Sequence, residues 1–153
     1  MLYTATIEWT RGDEPFVDLA YSRSHRWRFD GGTIVPASSS PSVVPVPQSN
    51  PAAVDPEEAF VAALSSCHML WFLSIAAKRG FVVDIYLDEA SGTLARNARN
   101  RLAMTEVALR PHVRFVGRVP SVTEHVQMHD KAHDACFIAN SVTTVVTVEP
   151  TQV

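Results

Sequence analysis

The stretch at residues 55–80 reads DPEEAFVAALSSCHMLWFLSIAAKRG, and it predicts one long helix with both ends marked. Asp55 is a suitable N-cap, and Glu58 three residues later completes a capping-box-like pattern. Gly80 can take the left-handed conformation that ends a helix. Most residues between them are apolar, and a helix that is apolar on all sides is expected to be buried. The polar interruption at residues 65–68 (SSCH) therefore calls for a chemical explanation.

Length and composition indicate an ordinary globular protein. The chain has 153 residues, so we expect a single domain over residues 1–153. Its net charge of −3 argues against a nucleic-acid partner, because binding to phosphates requires a basic surface. The polar centre of the long helix argues against a membrane span. The two cysteines and the lack of an N-terminal leader predict a cytoplasmic protein.

Alternating patterns predict β-strands before the long helix. The expected strands are residues 2–10, 16–29 and 33–36, with a turn at Asp30-Gly31-Gly32. If the second strand is extended, Arg23 and His25 share one face with Tyr21, Trp27 and Phe29. Residues 37–54 are rich in Ser and Pro, and they predict an extended loop packed over the surface.

The second half of the chain predicts strands around one more helix. Strands are expected at residues 81–86, with 90–94 as a continuation of the first, at 104–118, and at 143–148. Pro111 makes the middle one either an edge strand or two short strands. A second helix is expected from Pro120 to Asn140-Ser141, with Ser121 or Thr123 as its cap. The element order β-β-β-α-β-β-α-β favours the α+β class over a doubly wound sheet.

Each predicted helix carries one cysteine, Cys67 on the first and Cys136 on the second. A buried cysteine often packs simply as a small hydrophobic residue. Polar neighbours and a second thiol favour redox chemistry, because peroxide reduction needs a thiolate, a cation that stabilises it and a thiol that resolves the sulfenic acid. Apolar surroundings would favour an organic peroxide as the substrate.

Two motifs carry a resemblance to a known family. Asp55-Pro-Glu-Glu-Ala-Phe…Ser-Ser-Cys67 resembles a characteristic segment of the OsmC/Ohr family, the osmotically inducible and organic hydroperoxide resistance proteins. Ala132-His-Asp-Ala-Cys136-Phe-Ile-Ala-Asn-Ser resembles the segment around the family's second cysteine, although Phe137 stands where proline is usual. The resemblance implies an OsmC-like fold, an intertwined homodimer with sites at the interface, and a thiol-dependent peroxidase that reduces organic hydroperoxides in oxidative-stress defence.

The resemblance also implies roles for individual residues. Cys67 would be the peroxidatic cysteine, Cys136 the resolving cysteine and Glu57 the glutamate of the site. The family's arginine is assigned to Arg23, with Arg28 and Arg11 as alternatives. We expect five further side chains to bind the substrate: His25, His68, Phe60, Trp71 and Phe137. The expected reductant is a small dithiol or a lipoyl group, and no cofactor or metal is expected.

Helix geometry adds an independent constraint on Glu57. Ten residues of straight helix span about 15 Å, which is too far for a direct contact between Glu57 and Cys67. Either an arginine bridges the two residues, or the glutamate serves the thiol of a second subunit. We predict the second arrangement, with an Arg–Glu pair that orients the guanidinium.

Two other functions are compatible with the sequence. His125, His129 and His133 follow one another at spacings of four on the second helix, with Cys136 three residues further on, so this helix face could bind a metal ion. Only an adjacent pair could share one ion, because the three imidazoles span about 12 Å along the helix. The third possibility is a non-catalytic carrier of small lipids built on the same fold.

Overall fold

The computed structural model describes residues 1–152 of the chain. Its elements, in chain order, are β1 Ala5–Glu8, β2 His25–Phe29, β3 Ile34–Ala37, α1 Pro56–Lys78, β4 Val82–Asp88, β5 Ser91–Arg96, β6 Leu102–Leu109, β7 Pro111–Val116, α2 Val122–Ala135, a 3₁₀ helix Ala139–Ser141, β8 Val145–Val148 and β9 Thr151–Gln152. The chain forms two compact units, Met1–Ala59 and the part from Phe60 onward. The expectation of a single domain stays a prediction.

Strands β1, β2 and β3 form an antiparallel sheet in the first unit, with Trp27 paired with Ile7 on one side and Val35 on the other. The predicted strand over residues 16–29 is shorter than expected, because its first nine residues form turns. Side chains there bind backbone N–H groups that a strand would need, as the carboxylate of Glu14 does for Ser22 at 2.6 Å. Consequently Tyr21 and Arg23 lie in a loop before β2.

The Ser- and Pro-rich segment is an extended loop, as predicted, and its two ends are tied together. Ser38 donates its N–H to the carbonyl of Val54 at 3.1 Å, and Val54 donates to the carbonyl of Pro36 at 3.0 Å. The Ser38 hydroxyl also accepts the N–H of Asn50 at 2.9 Å. These bonds bury Ser38 completely and return the chain to the start of α1.

Helix α1 begins and ends where the sequence predicts. Asp55 accepts the N–H of Glu58 at 2.7 Å and donates its own N–H to the Glu58 carboxylate at 3.2 Å. Gly80 has a φ of 75°, the left-handed conformation expected after the last turn. Burial within the single chain is confined to one stripe of the helix, formed by Leu64, His68, Phe72 and Ala76. The helix is long and apolar enough to cross a membrane by length and composition, a test that core helices also pass.

The second unit contains two mixed sheets, β4-β7-β9 and β5-β6-β8. Four strands occupy the region where the simplest prediction had two. Pro111 separates β6 from β7, in agreement with the alternative of two short strands, because a residue without an N–H fits the first position of a strand. Helix α2 has a capping box between Ser121 and Glu124, and it ends at Cys136 rather than at Ser141, since Cys136 is extended (φ −68°, ψ 111°).

Two apolar clusters form the core of the second unit. The larger one packs α1 against α2 and the β4–β7 sheet, and its buried members are Phe72, Ala76, Phe81, Val113, Phe115, Met128 and Ala132. The smaller one joins Leu64 of α1 to Val107 and Leu109 of β6, with Phe60 and Val61 packed against it. Helix α1 is therefore held on one side by α2 and on the other by β6.

The close approach of α1 to β5 generates a prediction. A Cβ atom on Gly92 would lie 2.6 Å from Val61 Cγ2, and closer still to Met104 Cε. Gly92→Ala is therefore expected to lower the free energy of unfolding by about 1–3 kcal/mol through overpacking. Gly31→Ala is the control, because a Cβ atom there meets no neighbour within 4 Å. Equal stability of the two variants in urea unfolding would contradict the prediction.

Candidate functional site

The two thiols lie together in the second unit. Cys67 is half-buried in the middle of α1, and Cys136 is 1% exposed at the C-terminal end of α2. Both are free thiols, and Cys67 lies close enough to Cys136 to raise the pKa of its thiol. The structure thus brings together the two residues that the sequence assigns to the redox step.

The surroundings of Cys136 act on its thiol in opposite directions. Burial raises the pKa of this thiol above its ordinary value, and the neighbouring Cys67 thiol adds to the rise. Backbone N–H groups of Ala139 and Ile138 lower it, the first of them lying 3.4 Å from Sγ. Because the rise prevails, Cys136 carries its proton at neutral pH until a reaction removes it.

A cavity of about 330 Å³ opens beside Cys67. Its other walls are Leu70, Trp71, Ser74 and Phe137. The rings of Trp71 and Phe137 meet edge to face, with centroids 5.4 Å apart. Two of the predicted substrate-binding residues, Trp71 and Phe137, therefore lie beside the thiol, although their contact with a substrate stays a prediction.

Phe60 and His68 occupy other places. Phe60 packs against the buried cluster of Leu64, Val107 and Leu109. His68 is 1% exposed and does not line the cavity at Cys67, although it follows that residue in the sequence. Successive helical residues point about 100° apart, so the side chain of His68 turns into the core. The expectation that these two residues bind substrate stays a prediction.

His68 belongs instead to a row of buried histidines between the two helices. Its Nε2 lies 2.9 Å from Nδ1 of His129, and Nε2 of His129 lies 3.2 Å from Nε2 of His125. Burial, followed by the effect of His133, lowers the pKa of His68 to about 4. Burial and the neighbouring His125 and His68 lower the pKa of His129 to about 3. These imidazoles are therefore neutral at physiological pH.

The histidine row does not form a metal site. Within residues 1–152, no three His, Cys, Asp or Glu side chains are grouped so that they could hold a metal ion. His129 directs its two ring nitrogens at two different histidines, so its imidazole has no lone pair left for an ion. The alternative of a metal site on this face of α2 therefore finds no support in the described residues. Sequence reasoning missed the link to His68, although the spacing of His68, Phe72 and Ala76 places all three on the buried face.

The remaining predicted residues line a second cavity, of about 520 Å³, which lies within the first unit. Arg23, His25 and Glu57 contribute to its wall, together with an aromatic group formed by Trp9, Phe16 and Tyr21. The guanidinium carbon of Arg23 lies 3.6 Å from the centroid of the Tyr21 ring. Among residues 1–152, no ion pair joins Arg23 to Glu57, so the predicted Arg–Glu pair does not form within one chain.

The alternative arginines are engaged elsewhere. Arg28 forms an ion pair with Glu8 at 2.9 Å, on the sheet of the first unit. Arg11 donates to the carbonyl of Glu14 at 2.5 Å. Neither of them lines the cavity of about 520 Å³ that contains Glu57. Arg23 is thus the candidate arginine that shares a cavity with the candidate glutamate.

The α+β fold and the paired thiols on its two helices define a class of small dithiol proteins. The chain belongs to the OsmC-like protein family, whose family model matches residues 48–151. An OsmC-like protein of unknown function from Vibrio cholerae is 52% identical in sequence, with 99% of each chain covered and a TM-score of 0.97. These similarities confirm the resemblance seen in the sequence and the predicted fold class.

More distant structures share the fold alone. An OsmC-like protein from Mycoplasma pneumoniae is 16% identical, with 100% of this chain and 98% of that chain covered and a TM-score of 0.76. An organic hydroperoxide resistance protein from Elizabethkingia anophelis is 17% identical, with 99% and 96% covered and a TM-score of 0.66. A comparison with curated proteins gave no match.

The buried histidines predict acid lability. Below pH 6.5, their ordinary pKa, His68 and His129 bind protons in the unfolded chain but not in the folded one. The free energy of unfolding should therefore fall as the pH falls, by about 1.4 kcal/mol per pH unit for each imidazole. The loss should end near pH 4 for His68 and near pH 3 for His129.

Urea unfolding between pH 6.5 and 5 checks this expectation. His129→Gln should reduce the pH slope by up to about 1.4 kcal/mol per pH unit, because one of the two imidazoles no longer titrates in the unfolded chain. Met128→Leu is the matched control on the same buried face of α2, since it removes no titratable group. A slope in His129→Gln as steep as in Met128→Leu would contradict the assignment.

Proposed function

We propose that this protein is a thiol-dependent peroxidase that reduces organic hydroperoxides, with Cys67 as the peroxidatic and Cys136 as the resolving cysteine. The observation that carries the proposal is the proximity of the two thiols, close enough for Cys67 to raise the pKa of Cys136, within an OsmC-like fold. A disulfide requires sulfur atoms that can approach to about 2 Å, and neighbouring thiols can reach this distance with a small movement. Some proteins of the same fold are named organic hydroperoxide resistance proteins.

The chemistry takes two steps at sulfur and one with a reductant. The Cys67 thiolate attacks the outer oxygen of the peroxide, the O–O bond breaks, and an alcohol leaves after it takes up a proton. Cys136 then attacks the sulfenic acid on Cys67, and its proton leaves with the hydroxyl group as water while the disulfide forms. A small dithiol or a lipoyl group reduces the disulfide and restores both thiols.

The surroundings of each thiol suit its proposed role. Cys67 borders a cavity whose other walls are mainly apolar, which favours an organic hydroperoxide over hydrogen peroxide. Cys136 is buried and protonated, so it is shielded from solvent oxidants and can supply the proton that leaves with water. The backbone N–H groups of Ala139 and Ile138 can stabilise its sulfur when the proton leaves.

The cation and the carboxylate of the reaction are proposed to come from a second copy of the chain, in a cytoplasmic homodimer. Arg23 and Glu57 share a cavity of about 520 Å³ in the first unit, whereas Cys67 borders a different cavity. A guanidinium beside the Cys67 thiol of the other copy would favour its thiolate form, and Glu57 would orient that guanidinium. This arrangement agrees with the ten residues of helix between Glu57 and Cys67.

Peroxide consumption with a dithiol tests the reaction. The wild type is expected to reduce cumene or tert-butyl hydroperoxide. Cys67→Ser should abolish the activity, since it removes the sulfur that is oxidised. Cys136→Ser should leave the first turnover intact but expose Cys67 to overoxidation, which mass spectrometry detects as added oxygen atoms.

Ser66→Ala is the control variant for this experiment. Ser66 lies beside Cys67 on the exposed side of α1, and within residues 1–152 its hydroxyl bonds only to the backbone of its own helix. The Ser66→Ala variant should retain full peroxidase activity. A Cys67→Ser protein that consumes peroxide as fast as Ser66→Ala would overturn the proposal.

Mixed dimers test the origin of the glutamate. One dimer carries Glu57→Gln and Cys67→Ser on the same chain, and the other carries them on different chains. If each site uses the glutamate of the other copy, the dimer with separated substitutions keeps about half the wild-type activity and the other keeps little. The reverse pattern would show that each site uses its own glutamate.

A second candidate function is a carrier of small lipids. The cavity of about 520 Å³ in the first unit favours it, because this volume and an aromatic wall of Trp9, Phe16 and Tyr21 suit an apolar ligand. A carrier would bind its ligand equally well after Cys67→Ser and would consume no peroxide. The peroxide assay described above therefore separates the two functions.

A further inference from the structure

A row of hydrogen bonds runs from Trp27 through His25 to the backbone of Arg23. The indole Nε1 of Trp27 donates to Nε2 of His25 at 2.9 Å. On the other side of the imidazole, Nδ1 lies 2.8 Å from the carbonyl oxygen of Arg23. Each ring nitrogen of His25 therefore has one partner, and all three residues belong to the first unit.

These partners fix the protonation of His25. An indole N–H can only donate, so Nε2 must be a lone-pair acceptor. A carbonyl oxygen can only accept, so Nδ1 must carry the proton. The neutral ring with its proton on Nδ1 is therefore the one form that satisfies both bonds, because a proton on Nε2 would face the indole N–H.

The row ends on a residue whose backbone is held on both sides. Arg23 donates its N–H to the carbonyl of Gln48 at 2.7 Å, and its own carbonyl accepts from His25. Its Nη1 donates to the carbonyl of Leu19 at 3.1 Å and to that of Tyr21. Within residues 1–152, Nε and Nη2 have no hydrogen-bond partner, so they remain available to a ligand in the cavity that Arg23 lines.

We propose that His25 is a positioning residue for Arg23, kept in its Nδ1–H form by Trp27, rather than a residue that contacts the substrate. The inference rests on the proposed function, in which the Arg23 guanidinium acts on a thiol. Without the bond from His25, the carbonyl of Arg23 loses its partner and the loop before β2 can move. The guanidinium would then sample several positions in the cavity, and its effect on the thiol would weaken.

A pair of substitutions at His25 distinguishes a role in positioning Arg23 from a role in packing alone. His25→Asn keeps an amide N–H close to the place of Nδ1–H, whereas the longer His25→Gln side chain places its amide nearer to Nε2. Trp27→Phe keeps a ring but removes the donor that selects the Nδ1–H form, and it serves if the glutamine variant does not fold. Arg26→Ala is the matched control on the same strand, since the Arg26 side chain is 65% exposed and forms an ion pair with Glu8 on the surface of the sheet.

Nuclear magnetic resonance of the ¹⁵N-labelled wild type tests the row of hydrogen bonds from Trp27 to Arg23 without any measurement of catalysis. His25 should show the Nδ1–H form. The Nε–H signal of Arg23 should be separated from those of exposed arginines, because the guanidinium carbon lies 3.6 Å from the centroid of the Tyr21 ring. The Arg23 signal should persist in His25→Asn and Arg26→Ala, and it should move to the position of exposed arginines in His25→Gln and Trp27→Phe. An Nε2–H form in the wild type, or an unchanged Arg23 signal in the glutamine and phenylalanine variants, would overturn the inference.

Kinetics then measure the consequence for the reaction. His25→Gln should lower kcat/KM for cumene hydroperoxide about tenfold, the effect of one lost hydrogen bond. His25→Asn and Arg26→Ala should stay within about twofold of the wild type. Equal losses in the asparagine and glutamine variants would overturn the positioning role. A wild type without peroxidase activity but with the expected Arg23 signals would refute the proposed function and support the bond from His25 to Arg23.

Discussion

The hydrogen bond between His68 and His129 joins the two helices that carry the thiols. Apolar contacts between helices tolerate small displacements along the helix axis, whereas a bond of 2.9 Å between two buried rings is satisfied in one register only. Cys67 precedes His68 directly, and Cys136 follows His129 by seven residues, or two turns of helix. The register that the two imidazoles impose is therefore the register in which the thiols meet.

The low polarity of this helix contact explains why His68 and His129 are neutral and why Cys136 keeps its proton. Burial disfavours every charged form, so it lowers the pKa values of His68 and His129 and raises that of Cys136. None of the groups that shift the pKa of Cys136 is a cation. The helix pair thus supplies proximity and shielding, and in the proposed reaction the charge that stabilises a thiolate would come from a second copy of the chain. That need is the physical reason to look to Arg23.

The first helix could be predicted because its end signals are local in the sequence. Other features depend on contacts between residues far apart in the sequence, and these were not predicted. Asp55, Glu58 and Gly80 lie within a few residues of the helix ends that they determine, so both ends were predicted correctly. The loss of the strand over residues 16–24 depends on the Glu14 carboxylate reaching Ser22, which alternation of residue types cannot reveal. The bond from His68 to His129 joins residues 61 positions apart. The spacing on α2 alone therefore left open a metal site, for which residues 1–152 show no group of three ligands.

The cavity at Cys67 also bears on the proposed homodimer. Leu70 and Phe137 line this cavity, and they are 63% and 66% exposed in the single chain. Large apolar side chains grouped beside a reactive thiol are typical of a surface that another chain covers. A second copy placed there would exclude water from the thiol. It would also explain why α1 is apolar on all sides although one chain buries a single stripe of it, because the remaining apolar faces would pack against the partner.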